Sequence, residues 1–327
     1  MLKYILRRLV HLIPVVFVIS VILFGLLKLM PGSPDQFMVQ CAAGVRPSVC
    51  EQSRQEFRDR YRLDEPIPVQ YIFWAGNIIQ GDLGESAAYN EPVSDLVGYY
   101  IMNSVYLNVV VIVLSFLLAI PIGIISAVKQ YSLFDSFWQV FSLLGISMPS
   151  FFFGILLLYL FSMRLGWTPL SGMSSDFFGT YGFFENIFDV LHHMILPATV
   201  LMIQSLAGTI RYVRTSMLDV IKQDYIRTAR SKGLSEKVII YSHGFRNALI
   251  PVITLIAFSI PTLFSGAVII EQIFSWPGIG RILIDSLVER DYSVVLAMNM
   301  FYAILALFSN LLMDVGYGIV DPRVKLN

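Results

Sequence analysis

Few residues in this sequence have the type and spacing to carry out chemistry. His192 and His193 are adjacent, and serines are abundant. A serine hydrolase places its nucleophile in a sharp Gly-x-Ser-x-Gly turn, and a zinc protease presents His-Glu-x-x-His on one helical face. Neither pattern occurs. Cys41 and Cys50 are the only cysteines, and no histidine joins them at metal-ligand spacing. The Gly-x-x-x-x-Gly-Lys-Ser/Thr loop that cradles nucleotide phosphates is also missing, since Lys232-Gly233 runs in the wrong order. We therefore expect no catalytic residue, no metal and no cofactor bound by this chain.

The segment 218–248 has instead the pattern of a contact surface. Leu218, Ile221, Tyr225 and Ala229 recur at helical spacing, with Lys222, Arg227 and Arg230 at other positions. Gly233 then interrupts, as a helix-terminating residue does. Ser235 is placed to cap a second helix with Glu236 in its first turn. Beyond it, Leu234, Val238, Tyr241 and Phe245 share one face. Two short amphipathic helices need a cover for their apolar sides. The cover is the rest of the chain, a membrane surface, or a soluble partner with a groove for the second helix.

The elements that position this segment are set by composition. Of the 327 residues, 56% are hydrophobic and only 14% charged, against about 25% charged in soluble domains. Lipid is the expected solvent, and a formal net charge of zero argues against nucleic acid as a partner. Six apolar runs are long enough to cross a bilayer as helices: Leu9–Met30, Ser104–Val128, Phe137–Met163, Met194–Met217, Leu249–Ile270 and Val294–Ile319. The first is too long for a cleaved signal peptide and lacks a small-residue cleavage site. Although Arg7-Arg8 precedes it, we read it as an anchor.

Lys and Arg in short loops mark the cytoplasmic side. They gather before the first run (Lys3, Arg7, Arg8), after the second (Lys129), between the fourth and fifth, and after the sixth (Arg323, Lys325). Both termini are then cytoplasmic. Residues 31–103 carry ten acids against five arginines and lie outside. Cys41 and Cys50 fall there, in a compartment that permits disulfides; they are either bonded or two free thiols. In the same loop Val69, Ile72, Phe73, Gly76 and Ile79 share one helical face beside Trp74. That suits a helix in the interface, either a lid on the spans or a dock for an outside partner. Gly81–Glu85 reads as a turn. The chain thus divides into an N-terminus with the first span (1–30), an outer region (31–103) and a five-helix core (104–327) containing the cytoplasmic segment.

Polar side chains inside the spans tie helices together or line a path. Ser147, Gln204, Ser205, Thr262 and Asn299 are the candidates for a pore. Pro121, Pro149, Pro197, Pro251 and Pro261 are expected to kink spans. An ion-gradient carrier would show inverted repeats and midplane carboxylates, but no half-to-half symmetry and no central carboxylate stand out.

The cytoplasmic segment resembles that of the permeases of ATP-binding-cassette (ABC) importers, whose shared pattern is Glu-Ala-Ala, three residues, Gly. The aligned stretch is Arg227-Thr228-Ala229-Arg230-Ser231-Lys232-Gly233. Arg and Thr replace the first Glu and Ala, as in the dipeptide, oligopeptide and nickel branch. The late Arg246-Asn247-Ala248-Leu249-Ile250-Pro251 also fits that branch. Met30-Pro31-Gly32-Ser33-Pro34, Gly81-Asp82-Leu83-Gly84-Glu85-Ser86, Ser147-Met148-Pro149-Ser150-Phe151 and Glu271–Gly280 follow in its order. The long outer loop resembles that of the "B" permease of such systems.

The resemblance implies an all-α type I importer permease of six transmembrane helices in a bacterial or archaeal cytoplasmic membrane. It implies as partners a "C"-type permease, two ABC ATPases that use ATP and magnesium, and an extracytoplasmic solute-binding protein. The helix after Gly233 would rest in an ATPase groove. Gly233 would be its hinge, Leu234, Val238, Tyr241 and Phe245 its contact face, and Tyr225, Arg227, Ala229 and Arg230 its support. Peptides are the first expectation for the solute; relatives also carry nickel or metal chelates, glutathione and oligosaccharides.

Overall fold

A computed structural model describes residues 2–29, 46–176, 178–179 and 182–320. Among them the chain forms helices and no strand: α1 (Leu2–Leu29), α2 (Pro47–Tyr61), α3 (Ile67–Ile79), α4 (Val93–Val128), α5 (Leu133–Ser147), α6 (Ser150–Leu157), α7 (Phe183–Ile221), α8 (Asp224–Ser231), α9 (Glu236–Val238), α10 (Arg246–Ser259), α11 (Val268–Ile273), α12 (Ile279–Glu289) and α13 (Tyr292–Val320). π-Helical stretches Leu158–Arg164 and Ile239–Phe245 prolong α6 and α9, and a 3₁₀ turn, Pro261–Phe264, follows α10.

Four of these helices are long and apolar enough to cross a membrane: Arg7–Leu29, Val93–Val128, Phe183–Ile221 and Tyr292–Leu312. They coincide with the first, second, fourth and sixth apolar runs. The third run is not one straight helix, because α5 and the α6 extension meet at 104°. The cause is Pro149, which holds Met148 extended at φ −79° and ψ 131° and so stops α5 at Ser147. The fifth run is also cut short, as the apolar stretch Val252–Phe264. Pro261 lacks the N–H that would continue α10, and a 3₁₀ turn starts there. By length and apolarity the described helices give four spans, or five if the bent pair is one span, where six were expected. Pro121 and Pro197 leave α4 and α7 unbroken.

The chain divides into two compact units. One comprises Met1–Met102 with Gly278–Leu311, and the other is built on Asn103–Pro277. In the first unit, Val93, Ile279, Ile282, Val294 and Met298 are buried together. α3 packs on α1, but through Tyr71 and Trp74 against Phe24. Ser20 and Tyr71 share a hydrogen bond of 2.8 Å, and Lys28 donates to buried Gln70. The face read from the sequence is the opposite one, with Ile72 and Ile79 left exposed. The Gly81–Glu85 turn has Gly81 and Gly84 at positive φ, and the Asp82 carboxylate accepts from Gly84 N at 2.9 Å. Cys41 lies outside the described residues. Cys50, in the first turn of α2, is not a free thiol.

In the second unit α7 is the central element. Val213 and Met217 pack with Phe116, Ile124 and Ala127 of α4 and with Ala248 and Val252 of α10. Small residues let these backbones approach. A Cβ on Gly123 would fall 2.7 Å from Val213, and one on Gly145 would fall 3.0 Å from the Ala207 Cβ.

Candidate functional site

The segment 218–248 folds as a bracketed bend. α7 ends at Ile221, Gln223 is extended, and α8 begins at Asp224. Leu218 and Ile221 therefore belong to α7, and Tyr225 and Ala229 to a separate helix, not to one continuous helix as the spacing predicts. After Ser231 the chain turns at Gly233, whose φ of +77° is the left-handed conformation that glycine adopts without steric cost. Its N–H donates to Arg230 O at 2.9 Å. The helix restarts at Glu236. Ser235 is the boundary residue, but its side chain makes no cap; its carbonyl accepts from Ile239 N at 3.0 Å.

Two contacts hold the bend closed. Ile226 and Ala229 of α8 bury themselves against Ile239. On the surface, Arg230 grips the Glu236 carboxylate with Nε at 2.8 Å and Nη2 at 3.3 Å. That guanidinium holds the Glu236 carboxyl below its usual range. Arg227 remains exposed, with only a loose approach to Asp224 at 3.9 Å. Ala229 is buried, so it serves the bend from inside and is not a surface for another chain.

Leu234, Val238 and Tyr241 are all exposed, as is Tyr225. Phe245 does not join them. It turns inward onto the core around Val213 and Met217. The π-helical stretch Ile239–Phe245 is the reason: its wider turn shifts the register relative to a 3.6-residue period. The outward apolar face therefore contains three of the four residues predicted for it.

The five pore candidates are drawn from both units. Asn299 belongs to the first unit, and the other four belong to the second. Asn299 donates to Val295 O at 2.7 Å and Thr262 to Ser259 O at 2.6 Å, so both satisfy their own helices. Ser147 is exposed beside the Met148–Pro149 bend, and Ser205 supplies a carbonyl to Thr209 at 2.8 Å. Gln204 lines a cavity of about 200 Å³ with Phe141, Met148 and Phe153.

Sequence reasoning missed three buried carboxylates. Glu271 is fully buried on α11 and accepts from Ser104 Oγ at 2.8 Å and Ala267 N at 3.0 Å. Asp291 accepts from Ser86 Oγ at 2.5 Å and Ala88 N at 3.2 Å, tying the stretch before α4 to the start of α13. Asp135 takes Arg214 bidentately at 2.7 and 2.8 Å. A lone acid inside the apolar run 267–274 was the available signal for Glu271. For Asp135 it was Ser132-x-x-Asp135, a helix-start spacing, and Ser132 does accept from Asp135 N at 3.2 Å.

Residues 119–326 match the family of binding-protein-dependent transport system inner membrane components, and residues 1–120 match the N-terminal component of the same system. This chain belongs to that family. The permease is 41% identical to an oligopeptide transport system permease protein of Bacillus subtilis (strain 168), over 99% of this chain and 100% of that one. It is 39% identical to a di/tripeptide transport system permease protein of Pseudomonas aeruginosa (strain UCBPP-PA14), over 99% of each chain. A dipeptide transport system permease protein of Escherichia coli (strain K12) is 37% identical over 99% of each. Among solved structures, an inward-facing MetNI methionine ABC transporter aligns with TM-score 0.50 and 15% identity, covering 69% of this permease and 94% of that chain. That likeness is one of fold alone.

Proposed function

We propose that this permease forms half of the translocation path of an ATP-driven importer of dipeptides and oligopeptides. A second, homologous permease supplies the other half, two cytoplasmic ATPases supply the ATP hydrolysis, and an outside binding protein delivers the peptide. The observation that carries the coupling role is the bend at Gly233. It is locked internally by Ile226, Ala229 and Ile239, yet it presents Leu234, Val238 and Tyr241 outward. Such a rigid apolar knob fits a groove on another protein. Closure of the ATPases on ATP would push it, and the push would pass through Phe245 into the core at Met217. The work then comes from contacts that differ between two states of the complex.

The charge asymmetry of the loops supports cytoplasmic termini and a cytoplasmic bend, in the inner membrane of a bacterium or archaeon. The substrate class rests on the relatives' peptides. A Cys41–Cys50 disulfide belongs to the same reading, since Cys50 is not a free thiol and the chain has one other cysteine. The test is gentle solubilisation of the tagged chain from its native membrane. A second permease and ATPase subunits should co-purify, and the reconstituted complex should take up peptide only with ATP. A chain that purifies alone and transports without ATP overturns the proposal.

A further inference from the structure

A polar cleft of about 430 Å³ lies in the second unit where α5 and α7 run side by side. Arg211, Arg214 and Thr215 of α7 line it; at spacings of three and four residues they share one helical face. Gln139 and Ser142 face them from α5, and Ser126 from α4. Arg214 is committed to Asp135. Arg211 is exposed and its guanidinium forms no ion pair among the described residues, so the cleft keeps one uncompensated positive charge. The hydroxyls of Ser126 and Ser142 are buried and have no hydrogen-bond partner among the described residues. One guanidinium and two hydroxyls thus belong to a single cleft lining with no acceptor among the described residues.

The lining combines charge with apolar surface. α5 runs away from its charged start at Asp135, and Val140 and Leu143 are 56% and 61% exposed on it. α7 runs the other way, so Arg214 and Thr215 sit beside the start of α5 and Ile210 lies deeper. The cleft is cationic on its α7 side, and Val140 and Leu143 place exposed apolar surface on its α5 side. An anionic headgroup attracts an arginine near the membrane surface, and a guanidinium fork matches phosphate geometry.

We propose that this cleft holds the phosphate headgroup of an anionic phospholipid, with the acyl chains lying along Val140 and Leu143. The Arg211 guanidinium and the Ser126 and Ser142 hydroxyls donate to the phosphate oxygens. The proposed orientation puts the lipid in the cytoplasmic leaflet, but the contact itself does not depend on that orientation.

The test uses the full-length chain in detergent with phosphatidylglycerol or phosphatidylcholine, reading retained lipid by native mass spectrometry. We expect a phosphatidylglycerol adduct that weakens about fivefold to tenfold in Arg211→Gln, also weakens in Ser142→Ala, and is unchanged in Lys129→Gln. Lys129 is exposed at the end of α4 and controls for loss of charge alone. Equal weakening in Lys129→Gln would reduce the effect to surface electrostatics and overturn the site. Displacement by millimolar inorganic phosphate, with no preference between the lipids, would assign the cleft to a free anion and overturn the lipid. Cross-linking of Gln139→Cys to a second permease subunit in place of lipid would overturn it as well.

Discussion

At Gly233 the backbone has a φ of +77°, and an added Cβ would meet nothing within 4 Å. The two facts separate conformation from bulk. An L residue in the left-handed region costs about 1–2 kcal/mol, and a β-branched side chain is restricted further at χ1. Gly233→Val should therefore disfavour the bend by about 2 kcal/mol, roughly a thirtyfold loss in its relative population. Asn reaches the same region with local hydrogen bonds, so Gly233→Asn should cost only a few tenths of a kcal/mol, about a twofold change. Buried Ile226 and Ile239 and the Arg230–Glu236 pair oppose the opening without touching residue 233. The assay is peptide taken up per ATP hydrolysed by the reconstituted complex. We expect that ratio to fall on the order of tenfold in Gly233→Val and to stay within about twofold in Gly233→Asn. A Val variant with the wild-type ratio, or an Asn variant as damaged as Val, would refute the reasoning, because side-chain conformation would then not govern coupling.

Further outcomes follow from the packing. Asp135→Asn strands the partly buried Arg214 and should destabilise the chain by about 3–5 kcal/mol, read as a lowered thermal midpoint in detergent, with part recovered in the Asp135→Asn, Arg214→Gln double variant. Gly123→Ala drives a methyl to 2.7 Å from Val213 and should cost about 1–3 kcal/mol in the same measurement, whereas alanine at open Gly98 should cost less. Because Arg230 depresses the Glu236 carboxyl below its ordinary value of 4.5, the pair's contribution is fully present above that pH. It is lost only as pH falls through the lower, folded value. Amide protection factors at residues 230–239, each rate being divided by the intrinsic rate at the same pH, should thus be flat from neutrality to about pH 5 and fall below it, and Glu236→Gln should abolish the dependence. Non-reducing peptide mapping should recover Cys41 and Cys50 in one linked fragment, and recovery of either as a free thiol would count against the bond.

The glycine stop and the outward Leu234, Val238 and Tyr241 were legible because local rules decide them: one residue permits the left-handed turn, and three apolar residues repeat on one face. Phe245 was not legible. A π-helical stretch changes the period, and a single period was used to place all four residues. The break at Lys222–Gln223 was hidden for a related reason, since Leu218, Ile221, Tyr225 and Ala229 keep helical spacing across it. Pro149 was expected to kink a span, but a pattern of apolar residues does not distinguish a kink from a bend of 104°. Asp135 and Arg214 lie 79 residues apart, and their pairing depends on α5 packing against α7. Glu271 was visible as a charge in an apolar run, but Ser104, its acceptor's donor from another helix, was not. The five pore candidates were chosen for polarity alone. Two of them, Thr262 and Asn299, make side-chain hydrogen bonds within their own helical segments, a local satisfaction that a residue list does not reveal.

Coupling through the bend is tested most directly by cysteine cross-linking in the assembled complex. Single cysteines would be placed at the exposed positions 234, 238 and 241 and at the buried positions 226 and 239, then treated with a short homobifunctional thiol reagent. The account predicts adducts to the ATPase subunit from Leu234→Cys, Val238→Cys and Tyr241→Cys that change in yield on adding ATP, and none from Ile226→Cys or Ile239→Cys. Adducts absent from all three exposed positions, or unaltered by nucleotide, would contradict it.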